Sequence, residues 1–304
     1  MRSTFIKTLT DLAEDNDRIV LLTADLGYNA LEPFAQRFPD RFINVGVAEQ
    51  NMIGIATGLA EAGFIPFAYS IITFATLRPY EFIRNGPIAH NLPVRIVGVG
   101  GGMEYSHNGL THFGVEDIAV MRTQPGLSVF APADFRQTET VLRATWNLDG
   151  PIYYRLGKDD RITVPGLEGA FTQQAAQLIQ EGKDCLLISM GAISNETAAA
   201  VSKLSNQGLS CAHAILAAIN PAPTKSLIEL LSRFPVVYTV EAHYLAGGVG
   251  SLVAELIAEN GLKCRLTRLG LNRTPDSTSG DLAFLHKRYG LSPEAICERV
   301  IAAC

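Results

Sequence analysis

Gly46-Val-Ala-Glu49-Gln50-Asn51-Met52-Ile-Gly54-Ile-Ala56-Thr-Gly58-Leu-Ala60-Glu-Ala-Gly63 places one acid at the mouth of a helix built almost wholly from small and aliphatic residues. Gly54, Ala56, Gly58 and Ala60 leave little side-chain bulk, so another backbone can approach closely. An acid entering such apolar surroundings must be solvated, paired or protonated, because burying an unpaired carboxylate is costly. The same spacing also suits a helix whose first-turn glutamate merely complements the helix dipole. The flanking sequence decides between the two readings.

Short β-branched runs alternate with helical patterns on either side of this segment. Ile19–Thr23, Phe42–Val45, Ile65–Tyr69, Val94–Val99, Ser128–Ala131 and Ile152–Arg155 read as buried strands. Thr4–Glu14, Glu49–Ala62, Tyr80–Asn91 and Asp134–Asn147 read as helices between them. The alternation predicts an α/β architecture, a parallel sheet with helices on both faces. A looser polar stretch follows, from about Lys158 to Lys183, with Asp159-Asp160, Pro165-Gly166 and Gln173-Gln174. The pattern then resumes: Cys185–Ser189, Val236–Glu241 and Arg265–Leu269 as strands, Ile193–Gln207, Thr224–Arg233, Gly247–Glu259 and Pro293–Ala303 as helices. At 304 residues the chain exceeds what one core usually serves. Two domains are expected, 1–160 and a smaller 184–304, joined by a linker over 161–183.

Composition narrows the function classes. The chain is 47% hydrophobic and 18% charged, with a formal net charge of −5 and no basic stripe suited to nucleic acid. The apolar run from Val236 to Ile257 is interrupted by Glu241, His243 and Glu255, so it does not read as a membrane span. The first residues lack the apolar core of a secretory signal, and a cytoplasmic location is expected. The five cysteines, Cys185, Cys211, Cys264, Cys297 and Cys304, are odd in number and lack CxxC spacing, which fits reduced thiols better than a disulfide frame or a zinc site.

In open parallel sheets, sites form beyond the carboxyl ends of strands. Three such ends are unusual here: Thr23-Ala-Asp25-Leu-Gly27, Gly46-Val-Ala-Glu49, and Val99-Gly100-Gly101-Gly102-Met-Glu-Tyr-Ser-His107-Asn108-Gly-Leu-Thr-His112. The glycine triplet belongs to neither GxGxxG nor GKS/T, so a nucleotide loop is a weak reading. His107 and His112 lack a convincing third metal ligand.

Taken in order, these segments resemble the C-terminal part of transketolase-like, thiamine-diphosphate-dependent enzymes, over essentially the whole chain. Gly46-Val-Ala-Glu49-Gln-Asn-Met is similar to the segment whose glutamate meets the cofactor's aminopyrimidine ring. Asn108-Gly-Leu-Thr-His112, followed by Glu116-Asp117-Ile-Ala and Pro125-Gly, is similar to the substrate-histidine loop. Thr239-Val-Glu241-Ala-His243 and Gly247-Gly-Val-Gly250 resemble the family's third domain. The resemblance implies a pyrimidine-binding domain followed by a transketolase C-terminal domain. It also implies transfer of a two-carbon ketol unit from a ketose to an aldehyde.

By the same resemblance Glu49 and His112 are the catalytic residues, and Glu49, Asp25, Phe74, Leu77 and Tyr80 line the cofactor. Leu77 stands where the family has a stacking phenylalanine, and Phe74 and Tyr80 read equally well as core aromatics. Arg2, Asn29, Asn108, His112 and Lys158 fall at substrate positions. Asn108 replaces an aspartate there and Gly100 a histidine, and Arg2 and Lys158 read equally well as solvated surface charge.

The family's Gly-Asp-Gly…Asn motif, which holds the diphosphate through Mg2+ or Ca2+, is absent from this sequence. The resemblance therefore implies an N-terminal partner subunit that carries it, in an α2β2 complex, with Gly54 and Gly58 as candidate interface residues. Three alternatives share the fold: the β subunit of a 2-oxoacid dehydrogenase E1 component, a deoxyxylulose-phosphate-synthase-like half, and a non-catalytic scaffold.

Overall fold

A computed structural model describes residues 1–276 and 278–302. The first sheet contains β1 (Ile19–Thr23), β2 (Phe42–Asn44), β3 (Ile65–Ile71), β4 (Arg95–Val99), β5 (Ser128–Phe130) and β6 (Ile152–Leu156). The second contains β7 (Gln177–Gln180), β8 (Cys185–Met190), β9 (Cys211–Ile215), β11 (Val236–Tyr244) and β12 (Arg265–Leu271). Another short strand, β10 (Ala218–Asn220), leaves the second unit and joins the edge of the first sheet. The strand orders are β10-β5-β6-β4-β3-β1-β2 and β12-β11-β8-β9-β7. All pairings are parallel except β10 with β5 and β7 with β9.

The central strands are buried on both faces, which is why they appear in the sequence as mostly apolar runs, with Arg95 and Arg155 as buried charged exceptions. Side chains alternate across the pleat: Val20 and Leu22 join one core with Met52, Ile53 and Ala56, while Ile19 and Leu21 join another with Phe5 and Leu9. Helix Glu49–Glu61 thus covers one face of the sheet, and helices Arg2–Asp15 and Phe135–Thr145 cover the other.

Several elements differ from the sequence expectation. The stretch Tyr80–Asn91 is not one α-helix: Tyr80–Ile83 is α-helical and Arg84–Ile88 widens into a π turn that contains Pro87, which has no N–H to donate. Four short helices, Glu32–Arg37, Ile72–Thr76, Asp117–Arg122 and Leu282–Arg288, and the strand β9 were not anticipated. Within 161–183, read as linker, β7 forms the antiparallel edge of the second sheet. Cys185, Cys211, Cys264 and Cys297 form no disulfide, whereas Cys304, and Ala303 of the last expected helix, lie outside the described residues. Among the described residues no helix is long and apolar enough to cross a membrane.

The two units are joined by buried polar contacts. The Asn220 amide donates to Leu127 O at 2.6 Å, and Ala131 N–H to Ala217 O at 2.8 Å. Deeper in, Arg155 at the end of β6 is 4% exposed and Asp117 is 1% exposed. Arg155 Nε donates to Asp117 Oδ2 at 2.9 Å, and Tyr153 Oη donates to the same oxygen at 2.7 Å. Arg155 Nη2 bonds Gly114 O and Ala242 O, both at 3.0 Å, so one guanidinium ties the first sheet, the loop after β4 and the second sheet.

Removing one partner from a buried pair leaves an uncompensated charge. Arg155→Met should therefore lower the unfolding free energy by about 3–5 kcal/mol, measured by urea denaturation. The double variant Arg155→Met/Asp117→Leu should recover part of that loss. A single variant within about 1 kcal/mol of the parent would contradict this role for the pair.

Candidate active site

The carboxyl ends of β1, β2, β3 and β4 converge on one edge of the first sheet. At the first two ends, Asn44 acts as a tie. Its Oδ1 accepts from the N–H groups of Asp25 and Gly46, both at 3.0 Å, and its Nδ2 donates to Asp25 Oδ1 at 3.1 Å. Asp25 adopts a left-handed backbone (φ 56°), and Tyr28 Oη donates to its Oδ1 at 2.8 Å. The Tyr28 hydroxyl first, then Asn44, hold the Asp25 carboxyl below the usual carboxylate range. The turn at Gly46 (φ 72°) then delivers Glu49 to the first turn of its helix.

Glu49 is 2% exposed. Its partner is Arg78, whose Nη1 lies 2.8 Å from Oε1 and 2.9 Å from Oε2. The Arg78 guanidinium also stacks over the Phe74 ring, 3.9 Å from its centroid. Phe74 in turn meets the His112 imidazole edge to face at 5.2 Å. Thr111 Oγ1 lies 2.9 Å from His112 Nδ1. Partial burial, and then the Arg78 charge, push the His112 pKa below its ordinary value.

The arc continues past His112. The Tyr105 ring is 5.9 Å from the imidazole, and Lys158 Nζ lies 4.7 Å from the centroid of Tyr105. Lys158 and Arg2 line one crevice with Glu104. Two acids, two aromatic rings, an imidazole and three cations are thus linked in one arc, a layout suited to a flat heterocycle at one end and a polar, extended molecule along the rest.

The expected site residues divide into three groups. Glu49, Phe74, His112 and Lys158 are linked by the contacts above, with Arg2 beside Lys158. Asp25 lies at the neighbouring strand end, and Leu77 is 39% exposed immediately before Arg78. The remaining three are less directly connected. The Tyr80 hydroxyl donates to Val120 O at 2.9 Å and contacts Thr123 Oγ1 at 3.2 Å, so it is committed to packing near helix Asp117–Arg122. Asn108 is exposed on the turn Ser106–Asn108. Asn29 is exposed in a separate groove with Ser3, Lys7 and Asp11.

Arg78, Tyr105 and Glu104 escaped the sequence reading. Arg78 follows Phe74 by four residues, the spacing at which a cation meets a ring on one helical face, and that signal could have found it. Tyr105 and Glu104 carry no such local signal, because what joins both to the site is Lys158, far along the chain.

The transketolase pyrimidine-binding domain family model matches residues 1–161, and the transketolase C-terminal domain model matches residues 174–296. A transketolase C-terminal section of Methanocaldococcus jannaschii is 38% identical, over 99% of this chain and 95% of its own length. The 6-deoxy-6-sulfo-D-fructose transketolase subunit SqwH of Clostridium sp. is 33% identical, over 97% of this chain and 92% of its own. A solved structure described as a split gene transketolase, inactive beta4 tetramer, superposes with a TM-score of 0.90 at 32% identity, covering 99% of this chain and 97% of that one. The chain belongs to the transketolase family, as a transketolase-like enzyme subunit that pairs the pyrimidine-binding domain with the C-terminal domain.

Proposed function

We propose that this chain supplies the pyrimidine half of a thiamine-diphosphate site and transfers a two-carbon ketol unit from a ketose donor to an aldose acceptor, in complex with an N-terminal subunit that holds the diphosphate through Mg2+ or Ca2+. The observation that carries the reading is the arc from Glu49 to Lys158. Glu49 offers a buried carboxyl whose protein partner, Arg78, is itself 42% exposed on its outer side. Phe74 gives a flat ring beside it, and Val47, Leu77 and Leu110, 72%, 39% and 45% exposed on the segments that carry Glu49, Arg78 and His112, are apolar side chains that suit coverage by another chain. These residues fit an aminopyrimidine ring. The cofactor, when bound, supplies the nucleophilic carbon for carbon–carbon bond cleavage and formation.

Within this reading, Glu49 holds a proton at the ring nitrogen, and Phe74 and Leu77 flank the ring, while Tyr80 stays bound to helix Asp117–Arg122. Asp25 stands towards the thiazolium. With the Thr111 hydroxyl donating to Nδ1, His112 keeps its Nε2–H for the substrate's oxygens. The downward shift of its pKa leaves the imidazole neutral at neutral pH, a donor without a fixed charge. Arg2, Asn108 and Lys158 take the far part of the sugar, whereas Asn29 opens onto a separate groove. Gly100 and Lys158 weaken a phosphate-binding set, which supports a substrate other than a standard sugar phosphate. The name of the relative SqwH gives that protein a 6-deoxy-6-sulfo-D-fructose substrate. We take 1–160 and 184–304 as the two domains, α2β2 as the assembly and the cytoplasm as its place.

Assay of the reconstituted complex for ketol transfer against oxidative decarboxylation tests this function and separates it from a 2-oxoacid dehydrogenase subunit. In that assay Glu49→Gln should lower kcat by about a hundredfold or more with the fold and assembly intact, because an amide cannot share the proton. Near-normal turnover would remove Glu49 from the mechanism. Gly58 is exposed and a Cβ built on it meets nothing within 4 Å, so Gly58→Leu should leave the chain folded. The same substitution should abolish association with the partner on light scattering. A complex of normal size would take Gly58 out of the interface.

A further inference from the structure

Two residues at the far end of the arc, Glu104 in the crevice and Tyr105 beside Lys158, have no role in the chemistry above. Both follow Gly100, whose backbone lies in the left-handed region (φ 88°). A Cβ on Gly100 would stand 2.1 Å from Tyr105 Cε2 and 2.4 Å from its Cδ2. The Tyr105 ring therefore fills the space that any side chain at position 100 would need. The ring forms a wall that meets both His112 and Lys158.

Glu104 turns inward behind that wall. Its Oε2 accepts the Lys158 N–H at 2.6 Å, while its Oε1 is buried without a hydrogen-bond partner. The other acids of the crevice are engaged elsewhere. Asp159 is bound by Arg161 at 2.9 Å, and Asp160 by the α-amino group of Met1 at 2.5 Å and by Ser3 at 2.9 Å. Arg2 Nε is also buried without a partner. Glu104, Arg2 and Lys158 all line the crevice, and Glu104 Oε1 and Arg2 Nε lie beneath its surface with no hydrogen-bond partner among the described residues.

Unmet buried polar atoms are expensive, and a ligand that satisfies them gains that free energy on binding. A hydroxyl can do both, donating to Glu104 Oε1 and accepting from Arg2 or Lys158. A phosphate dianion satisfies the cations but sets its charge beside a carboxyl, and Tyr105 occupies the room a donor at position 100 would use. We propose that Glu104 and Tyr105 determine specificity at the far end of the substrate, selecting a ketose whose terminal carbon carries a free hydroxyl over its phosphate ester. Burial pushes the Glu104 carboxyl up to about 7.

This inference rests on the ketol-transfer reading, and its test separates the two. In the complex with the partner subunit, kcat/KM is measured with D-fructose and with D-fructose 6-phosphate as donors, for the parent chain, Glu104→Gln, Glu104→Ala and Tyr105→Ala. Glu104→Gln retains an oxygen for the Lys158 N–H and removes the charge, so it guards against misfolding of the others. The parent should prefer fructose, and each variant should shift the ratio towards the phosphate by about tenfold, through KM rather than kcat. A ratio moved less than about twofold in active Glu104→Gln and Tyr105→Ala complexes overturns the proposal, as does a parent that prefers the phosphate by about a hundredfold. A parent complex that assembles but transfers no ketol unit from either sugar overturns the underlying function, and the inference with it.

Discussion

The ion pair between Arg155 and Asp117 fixes the geometry on which the site depends. The loop after β4 leaves the sheet at Gly100 and returns at Gly114. Gly102 and Gly114 close it with two backbone hydrogen bonds, of 2.7 and 2.8 Å. Arg155 bonds the Gly114 carbonyl directly, and Asp117 starts the helix that follows. Gly101 packs so tightly beneath the guanidinium that a Cβ there would lie 2.7 Å from Nη1. His112 sits two residues before Gly114, so the imidazole is placed by a clamp that has no exposed component. The same guanidinium holds Ala242 of the second sheet, which couples the position of the histidine loop to the docking of the C-terminal domain.

A different constraint governs Glu49. Its helix begins without a side-chain cap, and the acid occupies the first turn where free N–H groups favour negative charge. Full burial still requires a partner, and Arg78 is the one present. Because Arg78 is half-exposed and stacks on Phe74, the acid, the cation and the ring form one unit at the surface, with the exposed Val47 and Leu77 close by in sequence. The arrangement suits a carboxyl that meets a flat, hydrogen-bonding heterocycle there.

Much of the fold could be read from the sequence. Strands buried on both faces are mostly apolar, so β1, β3, β4 and β6 stand out as runs of aliphatic and aromatic residues even though β4 and β6 each carry a buried arginine. Glu49 and His112 were legible because their segments occur in a recognisable order at strand ends. β9, Cys-Ala-His-Ala-Ile, was not, because its alanines and histidine carry little strand preference and only burial between neighbours makes it a strand. β10 was hidden for another reason: it crosses to the sheet of the other domain, a pairing that no local pattern encodes. The Tyr105 ring over Gly100 is likewise a packing fact. The sequence displays a glycine where the family has a histidine, but not the side chain that takes the space.

The central claim is that this chain forms one half of a cofactor site, with Glu49 and its aromatic wall on this side and the diphosphate ligands on another subunit. Calorimetric titration of the isolated chain with thiamine diphosphate and magnesium tests that claim most directly. The account predicts no binding tighter than about 1 mM, because one ring and one carboxyl supply too little of the contact surface. A dissociation constant of about 1 μM for the chain alone would contradict it.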